Sequence, residues 1–247
     1  VTAGPCVGSV HSFDISTGVD GPGTRFVAFL AGCPLRCQYC HSPDTWYRRS
    51  GESTSVEDLL TEIRRYERFI KVSGGGVTLS GGEPLQQPGF VREVLAGCKQ
   101  MGLHTALDTS GFLGDRADDV LLADVDLVLL DIKSGDSATY RKVTRTGSLA
   151  ATVRFAHRLA MLGKPVWVRF VLVPGLTDDP ANVDAVADLV AGVDTVERVE
   201  VLPFHRLGTA KYTALGLDFP LAGVDPPGPE LLDRVRCQFR DRGLSVY

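Results

Sequence analysis

The rhythm of apolar and polar residues changes repeatedly along the chain, and each change marks an element. Residues 7–13 (V-G-S-V-H-S-F) read as a short strand or extended arm, and 14–24 as a glycine-rich loop. Arg25 to Ala31 is a mostly apolar run that predicts a strand, ended by Gly32. Ser55 is placed to cap a helix over 56–70, with Leu59, Ile63, Tyr66 and Ile70 on one stripe. Strands and helices then alternate: Val77 to Ser80 a strand, 88–101 a helix, His104 to Asp108 a strand, 116–123 a helix, Leu127 to Lys133 a strand. Helices near 137–142 and 149–162 precede a strand from Val166 to Val173. Helix 180–191, strand Val196 to Leu202 and a loop-rich stretch lead to a last helix at 229–242, followed by Leu244 to Tyr247. Such alternation predicts an α/β fold on a parallel sheet with right-handed crossovers. Runs such as V-W-V-R-F-V-L-V suit strands covered on both faces.

Composition narrows the picture without changing it. A chain of 247 residues fits one domain, expected over 1–247, and the apolar share of 44% is ordinary for a globular protein. A formal net charge of -4 gives no electrostatic reason to bind nucleic acid or an anionic membrane. The chain shows no leader pattern and no apolar run long enough to span a bilayer, so a soluble, cytoplasmic protein is expected.

Candidate chemistry starts at Cys33-Pro34-Leu35-Arg36-Cys37-Gln38-Tyr39-Cys40, three thiols within eight residues, followed by His41. Offsets of four and seven would also place three small side chains on one helix face. The punctuation by Gly32, Pro34 and Pro43 argues instead for a loop. A zinc site of the three thiols plus His41 is a second alternative, though its first gap is longer than in common zinc knuckles. An iron–sulfur cluster normally takes four thiolates, so three would leave one iron open. Cys6, Cys98 and Cys237 are far from the triplet and from one another and read as single unreactive thiols. C-x-x-x-C-x-x-C with an aromatic before the last cysteine resembles the signature of the radical S-adenosylmethionine (SAM) superfamily. That resemblance implies a [4Fe-4S] cluster on Cys33, Cys37 and Cys40 whose open iron chelates SAM.

Polar residues recur at the carboxyl ends of the predicted strands, where α/β sheets build their sites. They are the cysteine loop, Ser80-Gly81-Gly82-Glu83, Asp108-Thr109, Asp131-Ile132-Lys133 and, after the last strand, His205; Arg169 lies within its own strand. Each taken singly has a plain structural explanation, and six on one rim do not. Gly81-Gly82 lets backbone carbonyls approach an ammonium. Leu129, Asp131 and Lys133 alternate, so strand periodicity aims them at one face, with Lys133 suited to the methionine carboxylate of SAM. Asp108 and Asp131 on neighbouring strands would repel, share a proton or hold a cation. His205 is placed to reach ribose or adenine.

Longer motifs extend the resemblance over nearly the whole chain: V-D-G-P-G-x-R-F, C-H-x-x-D-T-W, S-G-G-G-V-T-x-S-G-G-E, L-D-T-x-G-F, L-D-x-K and L-P-x-H-x-L-G. Together they resemble the pyruvate formate-lyase-activating enzymes, a family of glycyl-radical activases. The resemblance implies a partial (β/α)6 barrel in which Gly81-Gly82-Glu83 receives the SAM amino group and Tyr39-Cys40-His41 touches adenine. Asp131-Ile132-Lys133, Arg169 and His205 would complete the SAM site. Asp108, Thr109, Leu129 and Asp131 would hold a monovalent cation, sodium or potassium, and Asp20 in the glycine-rich loop would contact the substrate peptide. The implied partners are a glycyl-radical enzyme, pyruvate formate-lyase first, and a flavodoxin- or ferredoxin-type electron donor. The rivals are an activase of another glycyl-radical enzyme, such as the anaerobic ribonucleotide reductase, and a non-catalytic zinc or iron–sulfur docking module.

Overall fold

The structure is a computed structural model that describes residues 6–247. Eight strands form one mostly parallel sheet in the order β3-β1-β2-β4-β5-β6-β7-β8. They are β1 (Val7–Thr17), β2 (Thr24–Leu30), β3 (Glu52–Ser55), β4 (Gly76–Gly81), β5 (His104–Thr109), β6 (Leu127–Asp131), β7 (Val166–Leu172) and β8 (Val196–Pro203). The helices are α1 (Val56–Val72), α2 (Pro88–Gln100), α3 (Asp119–Ala123), α4 (Ser137–Thr144), α5 (Leu149–Met161), α6 (Pro180–Ala191), α7 (Thr209–Ala214) and α8 (Pro229–Arg240). No helix among the described residues is long and apolar enough to cross a membrane.

The chain divides into two compact units. Among the described residues one holds 6–33, Thr45–Thr109 and Asp115–Leu129; the other holds Pro34–Asp44, Ser110–Gly114 and Leu130–Tyr247. In the first unit β2 pairs parallel with β4, and β4 with β5. Their Phe26, Val27, Ala28, Leu30, Val77, Leu79, Ala106 and Leu107 are buried, as expected of strands covered on both faces. The α1 boundary follows from its chemistry: Ser55 Oγ accepts from Asp58 N, and Leu59, Ile63 and Ile70 face the core. Tyr66, on the same stripe, packs its ring 5.7 Å from Phe26.

In the second unit β7 and β8 pair parallel, and α8 covers one face by setting Phe239 against Phe170 at 5.9 Å. Residues beyond α8 lengthen this sheet: Val199 N donates to Ser245 O, Tyr247 N to Val199 O, and Val201 N to Tyr247 O.

The structure departs from the sequence reading at four places. The first strand runs on to Thr17 because it pairs antiparallel with β2, so the glycine-rich loop shrinks from 14–24 to 18–23. Glu52–Ser55, to which the sequence reading assigned no strand, pairs antiparallel with β1. The loop-rich stretch after β8 contains α7, and the strand ending at Lys133 stops at Asp131.

Candidate active site

In the first unit, the β2 carboxyl end is locked to the Gly81-Gly82-Glu83 turn. Gly82 N donates to Leu30 O and Glu83 N to Gly32 O, while Cys33 N donates to Trp46 O, so the backbone leading to the first thiol is held from two sides. Glycine is required here for packing: a Cβ on Gly82 would collide with Gly32 O, and Gly81 sits at φ +111°. Glu83 is buried, and its Oε1 accepts from Thr109 Oγ1 at 2.6 Å and from Leu85 N at 3.2 Å. Ser80 Oγ donates to Asp108 Oδ2 at 2.6 Å. Ser80, named with that strand end in the sequence but given no role, is thus a partner of Asp108. Leu129, in β6, is fully buried.

Asp20 lies in the 18–23 loop, at the amino end of β2 and so at the far end of that strand from Cys33. Its carboxylate accepts from Ser16 Oγ at 2.7 Å, and its carbonyl accepts from Thr78 Oγ1 at 2.7 Å. The loop is therefore anchored to the sheet.

In the second unit, residues 34–42 are irregular backbone, which removes the reading of the cysteines as one helix face. Arg36 N donates to Thr144 O, Gln38 N to Val143 O and Cys40 N to Cys37 O, so α4 holds the loop that carries two of the thiols. Lys133 is buried and donates from Nζ to Asp131 Oδ2 at 2.6 Å; the same Nζ lies 5.6 Å from the centre of the Tyr39 ring. Burial works against the Lys133 charge, but Asp131, Tyr39 and Cys37 outweigh it and hold the ammonium well above its usual range. Burial pushes the Cys37 thiol up to about 12, with Lys133 opposing. Burial likewise raises Tyr39, whose hydroxyl is buried with no hydrogen-bond partner. Ile132 is buried, and its N donates to Arg169 O.

His41 and His205 bring their rings to 5.7 Å. Burial lowers the His41 pKa, and His205 and Lys211 lower it further. Gly208, in the L-P-x-H-x-L-G motif, packs so closely that a Cβ there would sit 2.8 Å from His41 Cα. Lys211 of α7 pairs with Asp44 at 2.9 Å. Arg169 donates from Nε to Glu200 Oε2 at 3.3 Å. No sequence signal pointed to Glu200, because only the β7–β8 register sets it opposite Arg169.

The residues fit a cluster and SAM. None of the six cysteines is in a disulfide, and the triplet is half-buried on fixed backbone. The Tyr39 hydroxyl without a partner marks a polar environment left incomplete by protein alone. Among the described residues no group of three or more His, Cys, Asp or Glu is placed to hold one metal ion. A cluster takes one thiolate per iron, so the three thiols match three of its irons.

Comparison with known proteins agrees. Residues 27–185 match the model of the Radical SAM superfamily. The pyruvate formate-lyase 1-activating enzyme of Escherichia coli is 42% identical over 242 residues, 97% of this chain and 98% of that protein. The pyruvate formate-lyase-activating enzyme of Clostridium pasteurianum is 43% identical over 219 residues, 89% of this chain and 91% of that protein. A crystal structure of a domain of pyruvate-formate lyase-activating enzyme from Bacteroides vulgatus superposes with a TM-score of 0.59 at 27% identity, covering 70% of this chain and 98% of that one. The chain belongs to the radical SAM superfamily and, within it, to the family of pyruvate formate-lyase-activating enzymes.

Proposed function

We propose that this protein activates pyruvate formate-lyase by removing a Cα hydrogen from one of its glycines. The observation that carries the reading is the Cys33-Cys37-Cys40 triplet in a chain 42% identical to an activase over 97% of its length. Cys33, Cys37 and Cys40 would hold a [4Fe-4S] cluster with one open iron. Bound there, the cluster would supply one electron for cleaving SAM into methionine and a 5′-deoxyadenosyl fragment able to take the glycine hydrogen.

The protein's part is to bind, orient and exclude water. The Gly81-Gly82-Glu83 turn offers backbone carbonyls to the SAM ammonium. Lys133, held protonated beside Asp131, offers a cation to its carboxylate, and Arg169 a guanidinium. Tyr39, His41 and His205 supply flat surfaces for adenine, with Ile132 as apolar wall. Asp108, Thr109, Leu129 and Asp131 form the monovalent cation site in this reading, and Asp20, at the opposite end of β2 from Cys33, would contact a part of the peptide away from the reacting glycine. A flavodoxin- or ferredoxin-type protein in the cytoplasm supplies the electron.

The test is electron spin resonance on purified pyruvate formate-lyase, mixed anaerobically with the reconstituted protein, SAM and a reductant. A glycyl radical on pyruvate formate-lyase is expected. SAM cleavage with a radical only on another glycyl-radical enzyme would reassign the partner.

A further inference from the structure

The face of β7 and β8 turned away from α8 carries a connected row of side chains. Strand alternation puts Phe170 against Phe239 of α8 and turns Trp167 and Arg169 to the opposite face. The parallel register sets Trp167 opposite Arg198 and Arg169 opposite Glu200. One extra residue, Glu197, is taken up where the register shifts, and its Oε2 accepts from Trp167 Nε1 at 2.9 Å.

Glu200 is the hinge of this row. Its Oε2 accepts from Arg169 Nε at 3.3 Å and its Oε1 from Arg198 Nη1 at 3.2 Å, with the Glu200 side chain 13% and that of Arg169 8% exposed. The Arg198 guanidinium is itself clamped, 3.8 Å from the Trp167 ring centre and 4.4 Å from that of Tyr247. Tyr247 is fixed through its backbone to Val199 and Val201 of β8. A guanidinium has many rotamers, and one held in place before a ligand arrives loses less entropy on binding it. A carboxylate shared by two arginines cannot swing toward either without losing the other.

The geometry points to Glu200 as the positioning residue that aims Arg169 at SAM, with the Trp167–Arg198–Tyr247 sandwich holding Glu200 in place. This rests on the proposed contact between Arg169 and SAM. Glu200 does not touch SAM in this scheme; it acts through Arg169 alone.

The test is a double-mutant cycle on the anaerobically reconstituted protein, read by calorimetric SAM affinity, with iron content and thermal midpoint measured on each variant. Glu200→Gln keeps the shape of the side chain and is expected to retain iron while weakening SAM binding roughly tenfold, the scale of one charge-assisted hydrogen bond. In an Arg169→Ala background the same change is expected to cost nothing further. Tyr247→Ala removes an exposed ring without stranding a buried charge, and is expected to weaken SAM binding about twofold to threefold through the same dependence on Arg169. Should Glu200→Gln fold poorly, the Tyr247→Ala cycle decides. Equal losses with and without Arg169 would overturn the inference, as would unchanged affinity in Glu200→Gln and Tyr247→Ala while Arg169→Ala binds weakly. Unchanged affinity in Arg169→Ala itself would remove the Arg169 contact and the inference together, a result distinct from either.

Discussion

Two buried neighbourhoods, one in each unit, contain the same ingredients and differ in how completely they are satisfied. In the first unit Arg25 is fully buried, with Asp126 and the Cys98 thiol among the charges acting on it. In the second, Lys133 is buried with Asp131 and the Cys37 thiol. Both thiols are pushed up by burial to about 12, and in each case the neighbouring cation only partly opposes the rise. The thiols alone do not distinguish structure from function.

The surroundings do. Arg25 donates from Nε to Thr78 Oγ1 at 3.0 Å and from Nη2 to Val77 O, and Nη1 meets His104 Nδ1 at 2.9 Å. None of these partners is a carboxylate; burial outweighs the more distant Asp126 and Asp20 and lowers the guanidinium to about 10. Lys133 has a carboxylate at 2.6 Å, which overrides burial and raises it, while the adjacent Tyr39 hydroxyl has no hydrogen-bond partner. A structural polar cluster closes on itself. Around Lys133 the Tyr39 hydroxyl is left without a partner, which suits the proposed role of this cluster in holding SAM.

The sharpest way to break this comparison is at the thiols. Cys37→Ala is expected to abolish cluster assembly and SAM cleavage, whereas Cys98→Ala keeps both and costs about 1 kcal/mol of stability for the small cavity in α2. Iron and sulfide analysis with a denaturation curve on each variant checks this. Retained iron in Cys37→Ala would sink it.

The cations come next. Lys133→Met is expected to weaken SAM binding roughly 100-fold, the cost of removing one partner from a buried charged contact. Arg25→Met is expected to lose about 3 kcal/mol of stability, because Thr78, Val77 O and His104 are stranded, with SAM affinity of the folded fraction unchanged. Calorimetry and urea unfolding separate the two, and the reverse pattern refutes the assignment.

A smaller effect is expected from salt. If Asp131 serves a monovalent cation as well as Lys133, replacing potassium or sodium by a bulky organic cation lowers SAM affinity about tenfold. Indifference to the exchange removes the cation from the site.

The smallest effect is acid stability in the first unit. Burial alone would raise the Asp126 pKa, but Lys99 at 2.7 Å and the N–H and hydroxyl of Thr105 lower it below 3.8. A depressed carboxylate contributes stability that is present above its unfolded value and lost as pH falls through the folded one. Asp126→Asn is therefore expected to flatten the acid limb of stability by about 1 kcal/mol, measured as the unfolding midpoint against pH. A wild-type acid limb preserved in the variant would show that other carboxylates carry it.

Much of the site was legible because it is local or periodic. The cysteine spacing, the Gly-Gly turn after the β4 run and the neighbours Asp131 and Lys133 all lie within a few residues, although the 2.6 Å Lys133–Asp131 pair forms just past the end of β6 and was not anticipated. The Ser55 cap was legible for the same reason. Strand β3 was not, since E-S-T-S has no apolar face and exists by pairing with β1. The extension of β1 was hidden too: S-F-D-I-S-T carries a strand's alternation, but the nearby glycines read as loop until β2 supplied a partner.

The sequence by itself determined the chemistry available: three thiols at a cluster's spacing, a strand-end carboxylate and lysine, and apolar runs that can only be buried strands. Only the tertiary structure decided which groups are satisfied and which are left with work to do. Glu200 lies 31 positions from Arg169, and Gly208 lies 167 from His41. The physical reason is that hydrogen-bond satisfaction and desolvation depend on what packs within a few ångströms. Register and packing set those neighbours, and separation along the chain does not.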